Sequence, residues 1–378
     1  MRVLHICADF WPHLGGVEKF VLDLARKSRD ESITPAILTL NRREGDEALL
    51  PSRDENDGIP IHRLRCLDMK YYRAVWLPLD ELRAADVLHV HGLGAWLDFA
   101  VATKPAHRRP IVLSTHGGIF HTSRMTLLKN LYFHGWQWWN LKFVDQVVAC
   151  SRVDEYSFAP LAPRMILLEN GADVDELARP VLLDKDPRTL LFVGRLAANK
   201  AIDDLLRMCA ALAARGADFA MRIVGPDRNR VRPELESLAR SLRVGDRVTF
   251  VGEVTPEQLL VEYARASVFV SASRSEGFGI SVVEAMAAGC VPVVNDIPAF
   301  RDLLVGLRDG LLADFSNPRA TAKTIAGLLT QDLAPRRDAA RQRARDFSWR
   351  QKVPRWKQVY ADAIRASRDA GIGPSDEL

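Results

Sequence analysis

The chain has 378 residues, 48% of them apolar, and a formal net charge of +4. That length accommodates two ordinary domains with full cores. The small net charge and the lack of a nucleic-acid-binding motif argue against a nucleic-acid binder. Five scattered cysteines without a C-x-x-C read as reduced, mostly buried thiols of a cytosolic protein. The N-terminal "MRVLHIC" reads directly as a strand, without the apolar region and cleavage site of a signal peptide. No run of about 18 apolar residues occurs, so no spanning helix is expected.

In chain order, strand-like and helix-like segments alternate, which predicts an α/β fold of βαβ units with parallel sheets. "VLHIC" is a strand, "ADFWPHLGG" a loop and "VEKFVLDLARKSR" a helix, with Val17, Phe20, Val21 and Leu24 as its apolar stripe. The runs "PAILTL", "VLHVHG", "IVLSTHGG" and "QVVACS" follow as strands. All nine histidines precede residue 135, and seven Lys/Arg against one acid, Asp145, lie between Ala100 and Arg152. "LENGADVDEL" breaks the pattern, with Asn170-Gly171 as a turn or hinge. Pro180 to Pro187 is acidic and irregular and reads as an interdomain linker. A second series runs through "TLLFVGR", "FAMRIVG", "RVTFVGEV", "SVFVSAS" and "CVPVVND", with helices over about 201–215 and 233–243 between them. The tail "FSWRQKVPRWKQVYADAIRASRD" reads as a final helix pair, and the last residues as disordered.

Ligands of open parallel sheets bind at the carboxyl ends of strands. After "SVFVSAS" comes Arg274-Ser275-Glu276-Gly277-Phe278-Gly279, then a helix from about Ile280 to Ala288 that Gly289 caps. Glycines and a helix N-terminus suit a diphosphate. Glu276 and Glu284, one on either side of that helix start, suit hydroxyl-bearing ligand groups, because a carboxylate accepts from two hydroxyls. They suit equally a surface loop and a helix cap. Arg195, ending "FVGR", and Lys200 form a pair of cations able to clamp a diphosphate and neutralise a leaving group, or two solvated basic residues. Gly15-Gly16 opens the first helix as a phosphate-adjacent loop or a tight turn. Gly225-Pro226 and Gly252-Glu253-Val254 end strands where backbone groups face a nucleotide or simply turn. His89, His91 and His116 also sit at strand ends. Their spacing fits no metal motif, so they read as core or hydrogen-bonded histidines.

Taken together, Arg195, Lys200, "EGFG" and the E-x7-E of Glu276 and Glu284 resemble the retaining glycosyltransferases of the GT-B fold, glycosyltransferase family 4. "ENGADVD", "IVGPD" and the N-terminal glycine pair share in that resemblance, which covers nearly the whole chain. It implies two Rossmann-like domains with a central cleft, residues 1–175 binding the acceptor and 176–347 the nucleotide sugar, with a C-terminal helix in 348–378 returning to the N-terminal domain. It implies that Arg195 and Lys200 contact the donor phosphates and that Glu276 contacts the donor sugar. The amides of Gly277, Phe278, Gly279 and Ile280 then face the distal phosphate, and Glu284 holds the ribose. His116 lies near the transferred sugar, Gly15 and Gly16 near the phosphates, and Gly225 and Val254 border the nucleotide. No metal and no further cofactor is implied. The chain departs from the family in having Lys200-Ala201 for Lys-Gly and in lacking a second glycine in "IVGPD".

"SEGFGISVVEAMAAGCVPVVNDIPAFRDLL" more narrowly resembles bacterial exopolysaccharide α-mannosyltransferases, which use GDP-mannose and diphosphoprenyl-linked acceptors. That likeness implies a peripheral enzyme at the cytoplasmic face of the membrane. The stretch 123–143, with three of the eight tryptophans and Arg124, Lys129 and Lys142, fits an anionic membrane surface, or alternatively a packed helix with a solvated basic face. Rival readings are a UDP-sugar-dependent transferase, a nucleotide-sugar 2-epimerase and an inactive binding module. A dehydrogenase is disfavoured by "ADFWPHLGG" where G-x-G-x-x-G belongs.

Overall fold

The computed structural model describes residues 1–12, 15–42, 48–68, 73–116, 132–178, 185–307 and 310–369. The chain divides into two compact units, Met1–Gly171 with Trp349–Leu378, and Ala172–Ser348. Unit 2 therefore begins ahead of the acidic stretch expected to be the linker. Asp186 and Pro187 of that stretch already belong to a strand, and 179–184 lie outside the described residues.

Unit 1 is built on a sheet of eight strands: β1 (Arg2–Ile6), β2 (Thr34–Leu40), β3 (Arg53–Asn56), β4 (Ile59–Leu64), β7 (Val87–His91), β8 (Ile111–Ser114), β9 (Gln146–Ala149) and β10 (Met165–Leu167). The spatial order is β10-β9-β8-β7-β1-β2-β4-β3, and every neighbouring pair is parallel except β3–β4. Two further short strands, β5 (Cys66–Asp68) and β6 (Arg73–Val75), pair with each other. The hairpin β3–β4 was not expected from the sequence. Its cue is Asp57-Gly58, both at positive φ, the backbone of a tight two-residue hairpin turn.

The register of β1 against β7 sets His5 opposite His89, and strand periodicity puts His91 on the same face. Two helices cover that face: α1 (Gly16–Ser28), entered through Gly15, and the C-terminal helix Trp349–Asp369. Phe20, Trp349, Trp356 and Tyr360 of these helices are fully or almost fully buried there beside Val3, Val87 and Val112. The tail is thus one helix of 21 residues that runs through Pro354, preceded by a single 3-10 turn at Arg345–Phe347, and not the expected helix pair. Its buried positions Val353, Trp356, Tyr360, Ala363 and Ser367 keep one three-to-four-residue spacing across the proline, so a continuous stripe packs on the sheet.

Unit 2 is a six-stranded, wholly parallel sheet: β11 (Asp186–Val193), β12 (Ala220–Val224), β13 (Val248–Gly252), β14 (Ala266–Ser271), β15 (Val291–Asn295) and β16 (Leu311–Ala313), in the order β13-β12-β11-β14-β15-β16. β14 and most of β15 are buried on both faces, as a parallel strand between helix layers must be. The chain winds outward in one direction from β11 and in the other from β14, so the order reverses between those two strands.

Trp356 is fully buried against His89, Phe20 and Tyr360. Trp356→Ala is expected to cost unit 1 about 3–5 kcal/mol, read as a lower urea midpoint for the transition that includes the C-terminal helix.

Candidate functional site

In unit 2 the loops after β11 and β14 emerge side by side. The first contains a 3-10 turn, Ala198–Lys200, and the second leads into α5 (Ile280–Ala287), named by its place after α2 (Ile202–Ala213), α3 (Arg232–Ser241) and α4 (Pro256–Arg265). Three contacts stitch the loops together. The Arg274 backbone N–H donates to the Asn199 carbonyl at 2.8 Å, the Asn199 side-chain Nδ2 donates to the Ser275 carbonyl at 3.3 Å, and the Lys200 ammonium pairs with the Glu276 carboxylate. Both side chains of that pair are about 15% exposed, so the ion pair lies in a partly desolvated pocket edge. Arg195, at the end of the same β11 segment, is exposed, and its guanidinium has no carboxylate partner among the described residues. The expected phosphate-side cations and the first glutamate therefore share one neighbourhood. Asn199, which the sequence reading missed, is the residue that ties their loops.

Ala201 stands where the family resemblance leads one to expect glycine. Its φ of 49° and ψ of 49° are left-handed, the conformation glycine adopts freely. An alanine holds that conformation at a cost of about 1–2 kcal/mol.

The glycines of the second loop differ in why they are glycine. Gly279 precedes α5 at φ 104°, and a Cβ there would meet Phe300 and Leu303 at 2.9–3.0 Å. A Cβ on Gly277 would meet nothing within 4 Å. Nothing within the described structure requires glycine at 277. Phe278 turns its ring into the core, edge-on to Phe347 at 5.5 Å, which leaves only its backbone for a ligand. Ile280 begins α5 and Val254 follows β13; both are partly buried against the same core. Gly225, at φ 140°, has a structural duty: a Cβ would lie 2.1 Å from the Gly194 carbonyl oxygen. There the ends of β11, β12 and β13 are laced by Gly194 N–H to Val224 C=O and Gly225 N–H to Gly252 C=O. Asp227, in place of a second glycine, accepts from the amides of Val231 and Arg232 at 2.9 Å each and so starts α3.

Glu284 is 7% exposed on α5, and one of its oxygens accepts from the Tyr263 hydroxyl at 2.9 Å. Gly289 closes α5 at φ 76°.

In unit 1, Gly15 and Gly16 open α1. The Gly15 amide donates to the Glu18 carboxylate at 2.8 Å, while a Cβ at Gly16 would meet nothing within 4 Å. His116 follows β8 at φ 46°. Half-buried, it ends a chain that starts at two buried rings: His5 Nδ1 lies 3.0 Å from His91 Nε2, His91 Nδ1 lies 3.1 Å from His116 Nε2, and His116 Nδ1 lies 3.6 Å from the Cys150 sulfur. His89 is held separately, by the Tyr360 hydroxyl at 2.9 Å and the Ser114 hydroxyl at 2.8 Å. Among the described residues, His5, His89 and His91 are a group with metal-ligand spacing. Five of their six ring nitrogens already have hydrogen-bond partners, and only His5 Nε2 has none. That bonding fits a polar network within the core better than a metal cage.

Burial pushes His5 and His116 down to about 3, and drives His89 and His91 well below the usual imidazole range with help from their neighbours' charge. All four rings are therefore neutral at pH 7, and His116 does not serve as a cation there. The unfolded chain takes up these protons near pH 6.5 and the folded chain does not. Stability from this cluster is complete above about pH 6.5 and falls as the pH drops from there toward 3, by about 1.4 kcal/mol per pH unit for each proton taken up only on unfolding. Urea unfolding at pH 7.5, 6.0 and 5.0 is expected to show a stability loss between 6.0 and 5.0 that is steeper than between 7.5 and 6.0.

Comparison with known proteins follows the two units. The family model "Glycosyltransferase Family 4" matches residues 14–176, and "Glycosyl transferases group 1" matches 173–347. The chain is 32% identical over 375 residues to GDP-mannose:cellobiosyl-diphosphopolyprenol alpha-mannosyltransferase of Xanthomonas oryzae pv. oryzae, covering 97% of this chain and 98% of that one. It is 31% identical to the protein of the same description from Komagataeibacter xylinus, covering 98% and 96%. It is 29% identical to phosphatidyl-myo-inositol mannosyltransferase of Mycobacterium tuberculosis, covering 95% and 96%. In fold it is similar to sucrose-phosphate synthase from Thermosynechococcus elongatus, with a TM-score of 0.77 at 20% identity over 97% of this chain and 99% of that one. It is also similar to Anabaena Alr3699/HepE in complex with UDP and glucose, with a TM-score of 0.73 at 16% identity over 96% and 99%. Both halves match in sequence order and a relative at 32% identity aligns almost end to end, so the chain belongs to the family 4 glycosyltransferases, with the GT-B fold.

Proposed function

We propose that the protein is a retaining α-mannosyltransferase that moves mannose from GDP-mannose to a polyprenyl-diphosphate-linked glycan in polysaccharide synthesis. The observation that carries the reading is the joined pair of loops at the β11/β14 reversal, where Lys200 pairs with Glu276 and Arg195 lies earlier in the Lys200 loop. The printed activity of the relatives at 31–32% identity supports the donor and acceptor. In this reading unit 2 binds the nucleotide sugar. Arg195 and Lys200 neutralise the diphosphate, Glu276 is released from Lys200 to hold the mannose, and the amides from Gly277 to Ile280 face the distal phosphate. The open space at Gly277 and Gly16 fits a close approach of phosphate to backbone. Glu284 holds the ribose, and Val254 and the Gly225 turn border the nucleotide. Unit 1 takes the acceptor, with neutral His116 toward the transferred sugar as a hydrogen-bonding group. Two cations and a helix N-terminus supply the charge that a metal otherwise would. Retention follows if the acceptor hydroxyl attacks C1 on the face from which the phosphate departs. The C1–O bond to phosphate breaks as the new glycosidic bond forms, and the hydroxyl proton passes to the leaving phosphate oxygen.

Calorimetry with GDP, UDP and ADP, with and without EDTA, tests this. GDP is expected to bind selectively, with an affinity unchanged by EDTA. Preference for UDP would overturn the donor assignment and favour a UDP-sugar transferase or an epimerase.

The same reading includes an anionic membrane surface as partner. Among the described residues no helix is long and apolar enough to cross a membrane. Trp136, Trp138, Trp139 and Phe143 are instead 41–55% exposed, and Lys142 lies 3.3 Å over the Trp138 ring. Exposed rings with a cation among them suit a headgroup layer, and they depart from a packed helix with only its cations in solvent. Arg124 and Lys129 of the same stretch lie outside the described residues. Replacing Trp138 by alanine together with Lys142→Glu is expected to weaken sedimentation with phosphatidylglycerol-containing vesicles roughly tenfold, with an unaltered melting curve. Unchanged sedimentation would refute membrane docking through this patch.

A further inference from the structure

Glu284 does not stand alone. Its carboxylate is held by Tyr263, which comes from α4, 21 residues earlier in the chain and on another element. Tyr263 is fully buried, and its hydroxyl lies 2.9 Å from Glu284 Oε2 and 3.4 Å from the Ser281 carbonyl oxygen. The hydroxyl is placed to donate to the carboxylate, and burial and the nearby Glu284 charge both keep it protonated. The backbone that carries Tyr263 is itself clamped. The Lys185 ammonium donates to the carbonyl oxygens of Tyr263 at 3.0 Å, Ala264 at 3.3 Å and Ala266 at 2.7 Å. The Cys290 thiol reaches the Tyr263 and Ala266 carbonyls at 3.4 and 3.3 Å. A cation on the last carbonyls of α4 satisfies groups that the helix leaves without partners and opposes the negative end of its dipole.

We propose that Tyr263, anchored through Lys185, is a positioning residue that fixes the rotamer of Glu284 for a ribose diol. This deepens the reading in which Glu284 binds the donor ribose and rests on it. A carboxylate on a helix has several rotamers, and a ligand that must freeze them loses affinity for doing so. A charge-assisted hydrogen bond from a buried, rigid phenol removes that cost before the ligand arrives. Loss of the hydroxyl then raises the dissociation constant of any nucleotide that uses the diol. It leaves alone a nucleotide that lacks one.

The test is calorimetric binding of GDP and of 2′,3′-dideoxy-GDP to the wild type, Tyr263→Phe, Glu284→Gln and the double variant. The wild type is expected to favour GDP by at least tenfold. Tyr263→Phe is expected to lose most of that preference by weakening GDP alone. The double variant is expected to be little worse than Glu284→Gln, because the two side chains act as one. In transfer assays Tyr263→Phe should raise the donor KM with kcat nearly unchanged, the pattern of a group that binds ground and transition states alike. If Glu284→Gln keeps the wild-type preference, the ribose role of Glu284 fails, and the inference with it. If Glu284→Gln loses the preference while Tyr263→Phe keeps it, only the positioning role fails. Melting curves separate these results from misfolding. Should Tyr263→Phe not fold, Lys185→Arg gives the second reading: it keeps the positive charge but changes its reach to the three carbonyls. It is expected to reduce the GDP preference without affecting the dideoxy ligand, and unchanged discrimination would refute the anchor.

Discussion

Lys200 and Glu276 are 76 residues apart and meet because β11 and β14 are neighbours in a parallel sheet. All strands of that sheet point the same way, so all their carboxyl ends lie along one edge. The winding reverses between β11 and β14, and the two loops that follow them have no third strand between them. Loops that leave adjacent parallel strands with opposite winding diverge above the sheet and leave room at the reversal for a ligand. The chemistry of unit 2 depends on this one constraint. It brings the loop that carries Arg195 and Lys200 against the loop that carries Glu276 and its two glycines, and the Asn199 side chain bridges them.

The ion pair has a second consequence. Without a donor, the Lys200 ammonium and the Glu276 carboxylate neutralise each other in a partly desolvated setting. In the proposed function a diphosphate would give Lys200 a second anion and release Glu276 to sugar hydroxyls, an exchange that would leave no buried charge unpaired. Arg195 is exposed and has no carboxylate partner among the described residues.

Unit 1 shows the same logic turned inward. β1 and β7 stand where its sheet reverses, and their register aligns His5 with His89. Imidazoles on the covered face of a parallel sheet must find partners or stay neutral. Here they find one another, Tyr360 and Ser114, and burial holds them uncharged. The C-terminal helix is part of this arrangement, because Tyr360 supplies one of the hydrogen bonds and the Trp356 ring packs at a tilt against His89. The helix Trp349–Asp369 is therefore tied to the first strand's neighbours by polar as well as apolar contacts.

The sequence alone determined the strands buried on both faces, since continuous apolar runs such as "SVFVSAS" and "CVPVVND" have few other solutions. It also determined the helix that follows Gly279 and its close at Gly289, because backbone signals are local. It exposed the residue types at the strand ends, and their joint pattern named the family. It did not expose β3–β4, whose exposed, charged β3 carries little apolar signal, nor the single helix through Pro354, because a local rule against interior proline was overridden by a stripe packed on the sheet. It did not separate Gly225, held by backbone crowding, from Gly277, which nothing crowds. Only the tertiary structure decided that Lys200 meets Glu276, that Tyr263 holds Glu284 and that His5, His91 and His116 form one hydrogen-bonded chain. Those are contacts between residues 21 to 86 positions apart, and where hydrogen-bond partners lie in space is set by strand order and register, which no local pattern encodes.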